Sequence, residues 1–441
     1  MQLAIIGTGY VGLISGVCLS ELGHRIVCID NAIGKVGQLQ LGEMPIYEPG
    51  LKELCAKNLA AGRLSFTADL AAALQGCDMV MVAVGTPSTP SGEADLGYID
   101  RAVDQLMKVM PKDGLMVIKS TVPIGTNRAI AQRIKASGRG DIEVVSNPEF
   151  LREGKAICDF LEPDRVIVGA ESAHAKAAME RLYQPLVERG YPLLLTGLET
   201  AETIKYAANA FLATKVAFIN QIADVCEASG ADVEEVSYAI GLDKRIGSGF
   251  LKPGPGYGGS CFPKDTRALA WTARRIGRPI GIVESVIEEN EVRKQQMADK
   301  VIEACGGSVE GLKIAVLGVA FKGGTDDTRE SPALVIVPRL QKLGARIVAY
   351  DPAAMEMAST QLRGVNWARD CMSALNGADA ALILTEWEDF AQLDLHKVAA
   401  ALRHPLLIDL RNLFAPDSVA EAGLDYVSIG RTTVRTAAPA D

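Results

Sequence analysis

Residues 2–7, Gln-Leu-Ala-Ile-Ile-Gly, open the run Gly7-Thr8-Gly9-Tyr10-Val11-Gly12, and an apolar stretch follows to about Leu22. The first segment reads as a buried parallel strand and the last as a helix. A strand, glycines spaced G-x-G-x-x-G and a helix leave few folds open. The glycines allow a tight turn, close approach of a pyrophosphate and close packing of helix on strand. The pyrophosphate then sits at the helix N-terminus. His24 to Asp30 reads as a second strand ending in an acid, 23 positions after Gly7. An acid there accepts hydrogen bonds from ribose hydroxyls and repels a 2′-phosphate. Gly7, Gly9, Gly12 and Asp30 therefore point to NAD rather than NADP. A glycine turn serving only packing is the competing reading. Lys35 reads either as reaching the cofactor's polar edge or as a solvated lysine.

Further strands are expected at 78–84, 115–120 and 142–146, with helical stretches between them. That alternation means a doubly wound parallel sheet. Long helical stretches follow at about 199–229 and 279–305. Beyond Leu312 the opening pattern returns in order. Lys313–Gly318 echoes the first strand, Ala345–Asp351 echoes His24–Asp30, and Ala378–Thr385 echoes Cys77–Val84. The fold class is thus α/β, with two Rossmann-like doubly wound domains joined by a long-helix α-helical connector. The expected parts are 1–198, 199–308 and 309–441. The second glycine loop is degraded to Gly318-Val319-Ala320, so that domain is expected to take a different nucleotide or part of one. The tail beyond about Arg431, rich in Thr, Ala and Pro, reads as frayed.

At 441 residues the chain exceeds one ordinary core. A net charge of −9 argues against nucleic-acid or membrane-surface partners. The chain opens without a basic region before its first apolar run and offers no long uninterrupted apolar stretch. Neither a signal peptide nor a membrane span is therefore expected. Nine cysteines at wide spacings, with no C-x-x-C, argue against a disulfide framework or a zinc site and fit a reducing cytoplasm. No metal is expected.

One cysteine stands apart. Cys261 lies in Gly258-Gly259-Ser260-Cys261-Phe262-Pro263-Lys264-Asp265, just after Gly254-Pro255-Gly256-Tyr257. A lysine near a thiol favours the nucleophilic thiolate. With a redox cofactor, such a thiol suggests oxidation through a thiohemiacetal and a thioester; a buried structural thiol is the alternative. Lys205 and Asn209, four apart on a predicted helix, project from one face toward a reacting oxygen or form a polar stripe. Their neighbours are mostly apolar, and a buried ammonium needs a partner. Thr121, Glu149 and Glu153 follow strand ends, where ligands bind in doubly wound sheets. A helix cap or first-turn acid is the alternative for each. The four histidines, His24, His174, His396 and His404, lie outside these motifs, which leaves acid–base work to other groups.

Two segments carry a family resemblance. They are Phe250–Asp265, Phe-Leu-Lys-Pro-Gly-Pro-Gly-Tyr-Gly-Gly-Ser-Cys-Phe-Pro-Lys-Asp, and Phe321–Ser331, Phe-Lys-Gly-Gly-Thr-Asp-Asp-Thr-Arg-Glu-Ser. With Gly7–Gly12 and Asp409-Leu410-Arg411-Asn412, the chain resembles the UDP-glucose/GDP-mannose dehydrogenase family over nearly its whole length. The resemblance implies oxidation of a nucleotide sugar's C6 hydroxyl to a carboxylate with two NAD. It implies Cys261 as nucleophile, Lys205 and Asn209 at the oxyanions, and Asp265 with Thr121 and Glu149 at the hydrolytic water. It implies cofactor contacts from Tyr10, Val11, Thr86, Thr121, Glu153, Lys264 and Arg329. For the sugar nucleotide it implies Glu149, Phe150, Leu151, Arg152, Glu153, Phe250, Leu251, Lys252, Pro253, Gly254, Gly258 and Lys322. Arg245 resembles an arginine reaching into a neighbouring subunit, which implies a homodimer through the long helix.

The spelling Gly256–Phe262 leans toward UDP-glucose as substrate, with GDP-mannose and UDP-N-acetylhexosamines as alternatives. A non-catalytic nucleotide-sugar binder would not need Cys261, Lys205, Asn209 and Asp265 together. A simple hydroxyacid dehydrogenase would need neither Cys261 nor a third part.

Overall fold

The computed structural model describes residues 1–435. They form two compact units, one of Met1–Ala208 with Arg267–Pro279, the other of Asn209–Thr266 with the chain from Ile280 onward.

The first unit is built on eight strands. They are β1 (Gln2–Ile6), β2 (Arg25–Ile29), β3 (Leu64–Thr67), β4 (Met79–Val82), β5 (Leu115–Ile118), β6 (Glu143–Ser146), β7 (Val166–Gly169) and β8 (Leu193–Thr196). Their order is β3-β2-β1-β4-β5-β6-β7-β8. Successive side chains point to opposite faces. Leu3, Ile5, Met79 and Met81 join one core, while Ala4, Val80 and Val82 join the other. Burial on both faces is why β4 and β5 read as unbroken apolar runs.

The sheet is not wholly parallel, as the sequence pattern suggests it should be. β6 and β7 meet antiparallel through the single pair Ser146–Gly169, so β7 and β8 run against the other six. A parallel return needs a covering crossover. The link from β6 to β7 supplies only the six-residue helix Ala156–Leu161 after an irregular stretch at 147–155.

The second unit carries β9 (Lys313–Leu317), β10 (Arg346–Tyr350), β11 (Asn366–Trp367), β12 (Ala380–Ile383), β13 (Leu406–Asp409) and β14 (Asp425–Ser428). All are parallel, in the order β11-β10-β9-β12-β13-β14. This repeats the order of β1 to β6, as the sequence echoes imply. The loops match in detail. Gly7 N–H donates to Ile29 O and Gly318 N–H to Tyr350 O, each at 2.8 Å. Their φ angles are +94° and +92°.

The chain passes between the units through the 32-residue helix Leu198–Ser229 and through Phe262–Arg275. The helix Gly281–Ala304 packs in the second unit. No helix among the described residues is long and apolar enough to cross a membrane. The tail expected to fray from about Arg431 is partly anchored. Val434 pairs with Tyr426 and Arg435 reaches Asp425 at 3.1 Å, while 436–441 lie outside the described residues.

Candidate active site

Strand order reverses between β1 and β4, and ligands enter doubly wound sheets at such a crevice. The glycines there divide the work. A Cβ on Gly7 would lie 2.7 Å from Ala83 O, and one on Gly12 would lie 1.9 Å from Gly7 O. Gly9 faces open space. The helix Tyr10–Glu21 has no side-chain cap, so its first N–H groups are available to an anion. At the end of β2, Asp30 accepts hydrogen bonds from Thr8 N at 3.0 Å, Thr8 Oγ1 at 2.6 Å and Ala32 N at 3.1 Å. Lys35 lies 3.5 Å away. Burial raises the Asp30 carboxyl, but these bonds and Lys35 outweigh it, so it is held below the ordinary range as an anion. This set fits a dinucleotide. Tyr10 turns its hydroxyl to Glu48.

In the second unit the corresponding acid has another fate. Asp351 is fully buried. It accepts from Val319 N, Ala320 N, Ala353 N, Ala354 N and Trp387 Nε1 at 2.8–3.2 Å. Its acceptors are spent on protein.

The loops after β5 and β6 bring several expected residues together. Thr86 Oγ1 donates to Thr121 O at 2.8 Å. Lys205 Nζ lies 3.0 Å from Glu149 Oε1, with side chains 3% and 6% exposed. Glu149 also accepts from Leu151 N at 2.6 Å. Burial raises the Glu149 carboxyl, yet Lys205, the Leu151 N–H and Lys119 bring it below the ordinary value. Lys205 lies 5.3 Å from the Phe150 ring centroid, and the Arg165 guanidinium lies 3.7 Å from it. Arg152 pairs with Asp159. One turn before Lys205, Glu202 accepts from Gly125 N at 2.6 Å and from Asn127 N and Nδ2 at 2.8 Å. That fastens the segment after Thr121 to the helix carrying Lys205.

Lys119 escapes the sequence reading. It is buried, with Nζ 3.2 Å from Asn147 Oδ1 and 3.5 Å from the Tyr183 hydroxyl. Burial pushes its pKa down to about 8, Glu149 opposing and Lys205 assisting. Its position next to Ser120-Thr121 was the available signal.

In the second unit, Cys261 stands immediately before the helix Phe262–Arg275, and its carbonyl accepts Asp265 N–H at 2.8 Å. A helix N-terminus stabilises a thiolate. The lysine expected to do so, Lys264, lies 2.5 Å from Asp265 Oδ1, and Asn209 Nδ2 donates to Asp265 Oδ2 at 2.6 Å. Ser260 Oγ is 3.6 Å from the Cys261 sulfur.

The loop before the cysteine is held from two helices. Asn220 accepts Gly254 N–H at 2.8 Å, and Arg293 Nε donates to Gly254 O at 3.2 Å. Asn290 pairs with both N and O of Tyr257. Leu251, Pro253, Gly254 and Gly258 are buried, while Lys252 is exposed. A Cβ on Gly258 would lie 2.5 Å from Glu330 O. Phe250 adopts φ +63°, a costly angle outside glycine, and its ring lies 5.7 Å from that of Phe262. Gly259 N–H donates to Arg329 O, and the Arg329 side chain pairs with Asp327. Lys322 Nζ lies 5.6 Å from the Phe321 ring centroid. Arg245 is 89% exposed and pairs with Asp243.

A dinucleotide-type glycine loop with an acid at the end of the next strand, together with a cysteine at a helix head, fits a nucleotide-dependent oxidoreductase. The chain belongs to the UDP-glucose/GDP-mannose dehydrogenase family. The family's NAD binding domain matches residues 1–187, its central domain 199–292 and its UDP binding domain 315–416. A UDP-glucose 6-dehydrogenase of Rhizobium meliloti (strain 1021) is 49% identical, covering 98% of this chain and 100% of its own length. The solved UDP-glucose dehydrogenase of Pyrobaculum islandicum superposes with TM-score 0.90 at 36% identity, over 98% of each chain. A UDP-D-ManNAc dehydrogenase from Pyrococcus horikoshii gives TM-score 0.86 at 28% identity, over 98% of this chain and 99% of its own.

Proposed function

We propose that this enzyme oxidises UDP-glucose at C6 to UDP-glucuronate, holding the carbon on Cys261 between two oxidations. The observation that supports this most is the cysteine at the head of its helix, backed by an aspartate already engaged by Asn209 and Lys264.

Gly7, Gly9, Val11, Gly12 and the Tyr10 backbone would cradle the NAD pyrophosphate, with Asp30 at the ribose and Lys35 beside it. Thr86, Thr121, Glu153, Lys264 and Arg329 would complete the cofactor contacts. NAD, when bound, would supply the acceptor for a hydride from C6 in each of two oxidations. The first converts the alcohol to an aldehyde, its hydroxyl proton leaving to solvent. The Cys261 thiolate would then add to the carbonyl carbon, forming a C–S bond as the carbonyl π bond breaks, and the resulting oxyanion would take a proton from solvent to give the thiohemiacetal. The second oxidation would remove the hydride from C6 and release the hydroxyl proton to solvent, leaving a thioester. Water attacks it, the C–S bond breaks, and the carboxylate and thiolate separate. Lys205 and Asn209 would neutralise the oxyanions, an effect worth about 3–4 kcal/mol per well-placed donor. Glu149 would hold Lys205 in place, and Asp265 with Thr121 would orient the water. The segments 149–153 and 250–254, with Gly258 and Lys322, would bind the sugar nucleotide.

The reading assigns 1–198 to the cofactor, 199–308 to the connector and 309–441 to the nucleotide of the substrate. The connector is also read as a dimer interface. Phe211, Phe218 and Val225 are exposed at seven-residue intervals on the long helix, a stripe suited to a second copy, and the exposed Arg245 would reach the partner's site. Nine cysteines outside any disulfide fit a reducing cytoplasm.

The deciding experiment supplies purified enzyme with NAD and a panel of UDP-glucose, GDP-mannose and UDP-N-acetylhexosamines, and counts NADH per sugar consumed. Two per UDP-glucose is expected. One indicates a plain alcohol dehydrogenase, and none indicates a binder. Cys261→Ala should bind NAD yet make no acid; undiminished turnover in that variant rules out the covalent route.

A further inference from the structure

Glu48 lies in Pro45-Ile46-Tyr47-Glu48-Pro49-Gly50, a turn-rich stretch ahead of the helix Leu51–Ala60. The residue is 7% exposed. Oε2 accepts from the Tyr10 hydroxyl and from Gly154 N at 2.7 Å, and Oε1 accepts from Ala156 N at 2.7 Å. These donors belong to two different segments. Tyr10 opens the helix that follows the glycine loop. Gly154 and Ala156 close the stretch that carries Glu149 to Glu153.

Packing alone does not need a carboxylate here. Tyr10, Val11, Ile46, Leu151 and Ile157 already meet one apolar core. A buried carboxylate is costly unless its oxygens are bonded, whereas directional bonds fix two loops in register. We propose that Glu48 is a positioning residue that couples the dinucleotide loop to the substrate loop, so that occupancy of one is felt at the other. This rests on the assignment of 7–12 to NAD and 149–153 to the sugar nucleotide.

The test measures the Kd of NADH by fluorescence with and without saturating UDP-glucuronate. In the parent enzyme the two values should differ by at least about threefold, and linkage makes the effect reciprocal. Glu48→Gln keeps the shape but turns an amide N–H toward at least one of the three donors. The ratio of the two Kd values should then move to about one, and kcat/KM for both substrates should fall about tenfold. Tyr10→Phe cuts only the cofactor-side bond and should also bring the ratio close to one, which keeps the test alive if Glu48→Gln does not fold. A ratio unchanged in the variants, even with lowered Tm, overturns the coupling and leaves a merely structural carboxylate. Independent binding in the parent enzyme overturns it too. Absence of NADH production from UDP-glucose would instead defeat the activity assignment, and the binding ratio still decides the coupling.

Discussion

The ammonium of Lys205 lies 3.0 Å from the carboxylate of Glu149, and both side chains are buried. A buried pair gains little over an apolar pair, but breaking one side strands a charge. Lys205→Met should therefore lower stability by about 3 kcal/mol in urea denaturation. Adding Glu149→Leu should recover most of that loss while turnover stays abolished in both. Because the Glu149 pKa is depressed, its contribution is complete above the ordinary carboxyl value. It is lost as pH falls through the folded value, so the parent enzyme's advantage should narrow in acid.

Lys119 works with the opposite sign. Its folded pKa, about 8, lies below its unfolded value. Between the two the unfolded chain binds more protons, so stability rises with pH there and the penalty of a buried ammonium persists below pH 8. Urea melts at pH 7.5 and 10 should show the parent gaining stability relative to Lys119→Met. Parallel curves would contradict the assignment.

Two glycines of one loop should respond differently to alanine. Gly12→Ala drives a methyl into the Gly7 carbonyl and should lower Tm steeply. Gly9→Ala meets no protein atom, so Tm should hold while the Kd for NAD rises about tenfold or more, read by calorimetry.

Asp30→Ala should loosen the preference for NAD. The ratio of kcat/KM for NAD over NADP is expected to fall about tenfold or more, since an acid in that role would both accept from the ribose and repel a 2′-phosphate. An unchanged ratio would remove Asp30 from that role.

The exposed stripe on the long helix predicts assembly. Sedimentation should give about twice the 46.8 kDa chain mass, and Phe211→Asp with Phe218→Asp should return the single-chain mass without loss of helix by circular dichroism.

Much of this architecture is legible in the chain, because apolar runs and glycine spacing encode local physics. The Gly7–Gly12 loop, Asp30 and the ordered echoes beyond Leu312 fall in that class. The reversal of β7 and β8 does not, since a short apolar strand spells the same in either direction. Lys119 and Glu48 resemble solvated charges until burial is known. The helix after Cys261 is signalled by Pro263, a residue suited to a first turn. Lys264 turned out to be engaged by Asp265.

Asp351 closes the comparison between the two sheets. Where the first lobe leaves a carboxylate able to greet a visitor, the second has turned its counterpart into an internal rivet. Duplicated architecture thus carries unequal hospitality: NAD should shield the N-terminal lobe from proteolysis, while this corner of the C-terminal lobe keeps its shape with no guest at all.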